Sequence, residues 1–497
     1  MTRLRSQDVR FLPYSYVILK ENNIIKAINS DGKVEFKGTD ASIVIQSAIN
    51  ALGTAGGKIF IKKGTYSIST SIMLKNNVLL EGEGVATELK LSSGADCDLI
   101  TSNSTERINF AVLRNMKLNG NYDYNTYGNI INLHGAYMCR LEGLHLVIAP
   151  QNGIVFQNAG DYHCYDNFMS NIYILGFKEN GIKFSNVNDH LMNNVNVGTQ
   201  VYASGDCINI SGGGSGVEMN NLHLWASETI AGVGMRINAS YTSKFATIYL
   251  EDGGLQGGLI LTGGSNYHNF TNLVVQGVGG DGIYVDSYPN TFVNTRARTC
   301  HGNGIVISAK GNKFIGGDIN GNYKNGIYVR SESAYGVYDG VILSGLNVER
   351  NSAESSNTYD GIRLSNVMHV IITACLCWDY GTARQRYGII SMDSSSTNFI
   401  INNRVTGNAT GQISVVGGNN VVKFNDGFKT ENSGTATISS GSTIGTGLAT
   451  VPTVVGLSYR GTINTISLSW NTIGTSNSII VYHNAGQSIP ITYSAYI

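Results

Sequence analysis

The stretch DGIYVDSYPNTFVNTRARTCHGNGIVI, from Asp281 to Ile307, begins and ends with almost the same five residues. An Asn or Asp followed by Gly, Ile, any residue and an apolar residue stands at Gly282 and again at Gly304. The same signature recurs at Gly153, Gly181, Gly326 and Gly361, with weaker copies at Cys207, Gly234, Gly258, Gly388 and Gln412. Self-similarity of this kind predicts a solenoid in which each copy is one coil.

Successive copies are 22 to 28 residues apart, except for one interval of 35 residues. Apolar and polar residues alternate in short runs rich in β-branched side chains, which favours strands over helices. The sequence therefore predicts an all-β chain folded as a parallel β-helix, with strands stacked about 4.8 Å apart. The Asn or Asp before each Gly is expected to form a turn that tolerates left-handed backbone, and to stack as a ladder of side chains.

The two ends of the repeat have a different character. The segment GTDASIVIQSAINALG, residues 38–53, places Asp40 as an N-cap before the apolar residues Ile43, Ile45, Ile49 and Leu52. This pattern predicts a short amphipathic helix that covers the N-terminal end of the solenoid.

After about residue 428 the repeat signature gives way to segments such as SGTATISSGSTIGTGLATVPTVVGLSY, residues 433–459. These segments predict a small antiparallel β-sandwich. We therefore expect an N-terminal extension over residues 1–38, a parallel β-helix with its capping helix over 39–428, and a β-sandwich over 429–497.

Composition excludes several classes of protein. The chain has 497 residues with 61 Gly, and its 34 basic residues balance its 34 acidic residues, so no overall field attracts nucleic acid. Its seven Cys have no metal-ligand spacing, and we expect neither a cofactor nor a bound metal. The sequence shows no recognisable signal peptide and no apolar run of about 18 residues, so membrane insertion is not expected.

The segments GTDASIVIQSAINAL, GGKIFIKKGTYSI and NNVLLEGEG resemble the start of pectate-lyase-superfamily and phage tailspike-like proteins. The C-terminal segment is similar to β-sandwich modules that end many viral and surface β-helix proteins. The resemblance implies a right-handed β-helix, a polysaccharide or cell-surface glycan as partner, a homotrimer, and an extracellular or virion-surface location. The superfamily's polygalacturonase and pectate lyase motifs are not found, so no catalytic residue is carried over.

The repeat allows the coils to be aligned, using Phe168, Phe245, Phe270, Phe292 and Phe314 as anchors. The alignment predicts one buried file of side chains: Leu224, Leu250, Val275, Ile319 and Val348. Two outward columns flank this file. The first contains His223, Tyr249, Arg296 and Asp318, the second contains Trp225, Glu251, Gln276, Arg298, Asn320 and Glu349, and Trp378 begins a loop that extends this wall.

Such a wall suits glycan binding, because aromatic rings stack on sugars while carboxylates, amides and guanidinium groups bind hydroxyl or acidic groups. Asp318 and Glu349 lie on adjacent coils roughly 8 Å apart, a separation that suits an inverting glycoside hydrolase. Glu251 is the alternative acid. A polysaccharide lyase would instead use His223 or Tyr249 as base beside an arginine that neutralises a uronate.

The outward columns have an alternative interpretation, since they are also typical of a subunit contact or of an edge-protecting face. The protein is therefore expected to be a tailspike-like depolymerase, with a non-catalytic glycan-binding adhesin or structural virion spike as the alternative.

Overall fold

The computed structural model describes residues 13–331, 340–380, 384–392, 394–446, 448–461, 467–473, 477–485 and 487–497. Residues 1–12 of the predicted N-terminal extension lie outside this range. The chain forms two compact units that divide between Gly302 and Asn303. The domain boundaries expected after residues 38 and 428 remain predictions. Among the described residues, no helix is long and apolar enough to span a membrane.

The first unit opens with an antiparallel sheet and a helix. Its strands are Tyr16–Glu21, Ile24–Asn29 and Val34–Gly38. The helix Ala41–Ala51 begins where Asp40 accepts a hydrogen bond of 2.9 Å from the Ser42 amide, as predicted. Its buried face differs from the predicted one, because Val44 and Ala48 are buried while Ile43 is 63% exposed.

The coils of the first unit build two main parallel sheets and a short third one. We call them the wide, narrow and third sheets. The wide sheet contains Gly57–Ile61, Gly64–Ile68, Val78–Leu91, Val112–Asn119, Arg140–Ala149, Phe168–Phe177, Leu191–Thr199, Glu218–Ala226, Lys244–Glu251, Asn269–Gln276 and Thr291–Arg298. The narrow sheet contains Ile72–Met73, Ile100–Thr101, Ile131–His134, Ile154–Gln157, Ile182–Ser185, Ile208–Ser211, Met235–Asn238, Leu259–Thr262 and Ile283–Val285. The third sheet contains Ile108–Asn109, Ala136–Tyr137, Cys164–Tyr165 and Val187–Asn188.

Aromatic rings stack inside the coils. Phe245 and Phe270 are 4.6 Å apart between ring centroids, and Phe270 and Phe292 are 4.8 Å apart, in both cases with nearly parallel rings. These distances match the spacing of adjacent strands, so in these three coils one ring per coil fills this part of the interior. The predicted anchor Phe168 was one residue out of register: it pairs with Leu191, and the neighbouring Met169 takes the buried position.

The predicted ladder of Asn side chains is confirmed. Asn180 donates through Nδ2 to Oδ1 of Asn152 at 2.9 Å, and Asn325 donates to Asn303 at the same distance. Left-handed backbone occurs elsewhere in each coil, at a bend in the middle of the wide-sheet strand. Examples are Asn171, Asn194 and Asn221, with φ between 52° and 56°. This bend separates the first half of each strand from the half that carries the predicted outward columns.

The second unit repeats the parallel arrangement. Its wide sheet contains Lys313–Asn320, Ile342–Glu349, Ile371–Thr373, Leu376–Trp378, Phe399–Ile401, Arg404–Thr406 and Val421–Lys423. Its narrow sheet contains Ile305–Ile307, Ile327–Arg330, Ile362–Ser365, Tyr387–Met392 and Gly411–Val415. Cys375 and Cys377 point inward and are buried.

Two antiparallel three-stranded sheets follow at the C-terminus. One contains Glu431–Ile438, Val454–Tyr459 and Ile489–Tyr496, and the other contains Ser442–Gly445, Leu468–Thr472 and Ser478–His483. Buried residues from both sheets, among them Ile438, Ile444, Val481 and Ile491, form one shared hydrophobic core. This is the predicted β-sandwich, and with it the predicted fold class is confirmed.

Candidate functional site

The predicted register of the wide sheet is confirmed. Leu224 pairs with Leu250 and Leu250 with Val275 in the first unit, and Ile319 pairs with Val348 in the second. All five side chains are buried. The flanking residues therefore face outward, because side chains alternate between the two faces of a strand.

The outward columns of the first unit run as expected. His223 pairs with Tyr249, and Trp225 pairs with Glu251. On the following coils Gln276 pairs with Arg298. Arg296 pairs with Val274, and both Gln276 and Arg296 are exposed.

Five side chains in the first unit form what we call the histidine cluster: Asn196, His223, Trp225, Tyr249 and Glu251. Trp225 donates through its indole nitrogen to Oδ1 of Asn196 at 3.0 Å. Nδ2 of Asn196 lies 3.1 Å from Nδ1 of His223, and Nε2 of His223 lies 2.8 Å from Oε1 of Glu251. The His223 and Tyr249 rings are stacked, with centroids 5.3 Å apart.

This chain of hydrogen bonds fixes the proton on His223. An indole nitrogen only donates, so Asn196 accepts through its oxygen and donates through its nitrogen. Nδ1 of His223 must then accept, and Nε2 carries the proton that it donates to Glu251. This pattern of donors and acceptors corresponds to the Nε2–H tautomer of the imidazole.

Tyr249 also donates to Glu251. This hydrogen bond raises the pKa of Tyr249 to about 12, with burial and the charge of Glu251 acting in the same direction and Arg298 acting against them. A phenol with a raised pKa keeps its proton at neutral pH, so Tyr249 acts as a hydrogen-bond donor more readily than as a base. Glu251 thus accepts from both Tyr249 and His223.

The second unit contains what we call the carboxyl cluster: Asp318, Asn320, Asn347, Glu349 and Trp378. Asp318 pairs with Asn347 and Asn320 with Glu349 on adjacent coils. The two carboxyl groups therefore stand diagonally across neighbouring strands. The Asp318 carboxylate accepts hydrogen bonds of 3.1 Å from both Asn320 and Asn347.

The surroundings of Glu349 favour the protonated form of its carboxyl group. Burial raises the pKa of its carboxyl group above the usual value, and the negative charge of Asp318 raises it further, against a hydrogen bond from Asn347 and the charge of Arg350. A raised pKa keeps a larger fraction of the carboxyl group protonated near neutral pH. Asp318 differs from Glu349 in its partners, because its carboxyl group accepts hydrogen bonds from two asparagine amides.

Trp378 and Tyr380 form an aromatic surface beside Glu349. Trp378 pairs with Glu349, donates through its indole nitrogen to Asn347 at 3.0 Å, and lies 5.1 Å from the Tyr380 ring. Arg350 lies over the same Tyr380 ring at 5.2 Å and donates to its hydroxyl group. Asn196, Asn347, Arg350 and Tyr380 were not among the site residues predicted from the sequence. The two Asn residues stood in the aligned outward column, but nothing in the sequence showed their bonds to tryptophan.

The raised pKa of Glu349 predicts a pH-dependent stability difference for Glu349→Gln. The folded state binds the Glu349 proton more tightly than the unfolded state, so wild-type stability falls as pH rises from below the ordinary value of 4.5 through the raised folded pKa. Gln at position 349 does not titrate, so the variant does not lose stability in this way as the pH rises. We expect the variant to melt at a slightly higher temperature than wild type near pH 7, and the advantage to shrink near pH 4. Calorimetry checks this, with exposed Glu228→Gln as control; an advantage that grows towards acid pH would contradict it.

No group of three His, Cys, Asp or Glu side chains suited to a metal ion occurs in the described ranges.

The coils and their stacked parallel sheets define the class of this protein, which is a right-handed parallel β-helix. Residues 258–428 match the family described as the right handed beta helix region. No curated protein matches the chain in sequence. The resemblance to tailspike-like right-handed β-helix proteins is therefore confirmed at the level of the fold.

Solved structures of similar fold include several phage proteins. A tailspike protein of E. coli bacteriophage HK620, a double mutant in complex with a pentasaccharide, is 12% identical and covers 94% of this chain and 92% of its own, with a TM-score of 0.56. The pre-mature gene product 12 of bacteriophage phi29 is 14% identical over 76% of this chain and 54% of its own, with a TM-score of 0.53. The A-module of an Azotobacter vinelandii mannuronan C-5 epimerase is 14% identical over 77% of this chain and 96% of its own, with a TM-score of 0.42.

Proposed function

We propose that this protein binds an extended polysaccharide and hydrolyses its glycosidic bonds at the carboxyl cluster. The observation that carries the proposal is the raised pKa of Glu349 beside the amide-bound carboxylate of Asp318. Glycoside hydrolysis commonly uses one protonated and one ionised carboxyl group. The fold agrees with this role, since the HK620 tailspike of the same architecture was solved with a bound pentasaccharide.

In the proposed mechanism, Glu349 donates its proton to the glycosidic oxygen while Asp318 accepts a proton from the attacking water. The water adds to the anomeric carbon as the bond to the leaving sugar breaks, so Glu349 ends ionised and Asp318 ends protonated. Strand geometry places the two residues roughly 8 Å apart, which leaves room for a water and predicts inversion. Asn320 and Asn347 orient Asp318, and Trp378 supplies a ring on which a sugar stacks.

Elimination by a lyase is less well supported. Of the two candidate bases, Tyr249 has a raised pKa and His223 already donates to Glu251. Neither group is therefore poised to remove a proton from a uronate.

The proposal is tested by incubating the purified protein with polygalacturonate, alginate, hyaluronate, dextran and O-chain polysaccharides of enterobacterial lipopolysaccharide. New reducing ends without absorbance of an unsaturated uronate are expected for at least one of these polymers. Reducing ends together with that absorbance would indicate a lyase. Retention of a polymer without cleavage would leave the alternative of a glycan-binding adhesin or structural spike.

We also propose that the protein acts as a homotrimer at the surface of a virion or outside the cell, as the tailspike resemblance implies. Light scattering is expected to give three times the 53.3 kDa chain mass. A monomeric mass would remove this part of the proposal and leave the proposed chemistry untouched.

A further inference from the structure

The two clusters share one arrangement of tryptophan and asparagine. In each, a tryptophan reaches back to an asparagine on the preceding coil: Trp225 to Asn196 and Trp378 to Asn347, both at 3.0 Å. Each tryptophan also pairs across the sheet with a glutamate, Glu251 in the first case and Glu349 in the second. Each unit therefore carries one such tryptophan–asparagine module, although the glutamate lies on the coil after Trp225 and on the coil before Trp378.

The hydrogen bond from the indole to asparagine determines which part of each tryptophan can contact a ligand. Its single N–H is already donated to asparagine, so the indole contributes its apolar ring and not a polar group. Trp225 and Trp378 are both only partly buried, which leaves part of each ring accessible. A fixed, accessible ring on a polar wall is suited to stacking against a sugar.

Gly198 holds the first of these tryptophans flat against the sheet. Gly198 pairs with Trp225, and a methyl group added at Gly198 would overlap the indole ring. A residue with any side chain at this position would therefore push the ring off the wall. The backbone of Gly198 has no left-handed conformation, so this close approach is the structural requirement for glycine.

A groove of about 330 Å³ lies beside the module in the first unit. It is lined by His145, Tyr173, Asn194, Asn196 and His223 among others, and Trp225 adjoins this lining through its hydrogen bond to Asn196. His145 and Tyr173 are 5.6 Å apart between ring centroids, so aromatic side chains border the groove on successive coils. Amide, imidazole and phenol groups next to aromatic rings match the hydroxyl groups and apolar faces of sugars.

The histidine cluster differs from the carboxyl cluster in its proton chemistry. Asn347 donates to Asp318 in the carboxyl cluster, whereas Asn196 donates to the imidazole of His223. Asp318 lies on the coil before Asn347, and the corresponding position before Asn196 is held by Tyr173, which has no carboxyl group. Glu251 is held by His223 and Tyr249, so this module lacks the acid and base pair that cleavage needs.

We propose that the groove beside Trp225 is a second glycan site, which holds the same polysaccharide without cleaving it. This inference rests on the proposed function. A site of this kind would retain the polysaccharide without breaking its bonds.

The test uses the Glu349→Gln protein, which is expected to bind glycan while cleaving it about a thousandfold more slowly. Fragments about eight sugars long from the polysaccharide that the wild type cleaves or retains are titrated calorimetrically. We expect two sites per chain. Trp225→Ala is expected to weaken one site at least tenfold, consistent with a loss of about 1.4 kcal/mol, and Trp378→Ala to weaken the other.

Gly198→Ala provides the sharper variant, because it keeps Trp225 and only displaces its ring. It is expected to weaken the same site as Trp225→Ala. Gly253→Ala, at a glycine of the same unit with space for a methyl group, is the matched control and is expected to leave both sites intact. Unchanged melting temperatures show that the variants fold.

The outcomes separate the two proposals. One site per chain, or two sites that Trp225→Ala and Gly198→Ala leave unchanged, would overturn the second site while the carboxyl cluster stands. Failure of every polysaccharide in the panel to bind would overturn the proposed function and this inference together.

Discussion

Replacing Glu349 with Gln is expected to lower the rate of polysaccharide cleavage by about three orders of magnitude while the polymer still binds. Gln has nearly the same size and keeps a hydrogen bond to Asn347 within reach, but it has no proton to give to the leaving sugar oxygen. The loss should therefore appear in kcat and not in KM. Reducing-end assays give the rate, and calorimetry gives the affinity.

Asp318→Asn is expected to produce a similar loss, because an amide cannot accept the proton of the attacking water. Glu354→Gln, at an exposed acid of the same unit, is the matched control and should retain wild-type turnover. Full activity in both cluster variants would place the chemistry elsewhere. Glu251 would then be the next acid to replace.

The outward columns could be predicted from the sequence because a strand has a side-chain period of two. A slip of one residue would have exposed Leu224, Leu250 and Val275, so the apolar file alone sets the register. That register placed Asp318 diagonally to Glu349 and His223 beside Tyr249, as the structure has them.

Other features depend on side-chain torsions and packing, which the aligned sequence does not specify. The indole of Trp225 lies on Gly198 and donates to Asn196, a contact that depends on its rotamer. The asparagines before each glycine were expected to be left-handed, but the left-handed positions lie at the strand bend near Asn171 and Asn194. Asparagine suits both roles, because its amide stacks in ladders and its backbone tolerates positive φ.

The buried face of the N-terminal helix also could not be predicted from the sequence. Ile43 fitted the apolar pattern but is 63% exposed, whereas Val44 and Ala48 are buried. The buried face of a short helix is chosen by the strands it packs against, here including Ile24–Asn29 and Val34–Gly38. Its own sequence indicated where it begins more securely than which side it buries.

Phe270→Ala is expected to lower the free energy of unfolding by about 3 to 5 kcal/mol. Phe270 is completely buried, with the Phe245 ring on one side at 4.6 Å and the Phe292 ring on the other at 4.8 Å. Truncation removes buried apolar surface and both ring contacts. It also leaves a cavity that cannot collapse, because the hydrogen bonds between strands keep adjacent coils at a fixed spacing.

Urea denaturation of the full chain measures the effect, and two variants make it interpretable. Phe270→Leu keeps much of the volume and loses the stacking, so its loss should be smaller than that of Phe270→Ala. Phe424→Ala removes a ring that is 66% exposed and should change stability by less than about 0.5 kcal/mol. Equal effects of Phe270→Ala and Phe424→Ala would mean that the stacked rings do not hold these coils together. The columns that carry His223 and Trp225 would then owe their alignment to the Asn ladders and strand hydrogen bonds instead.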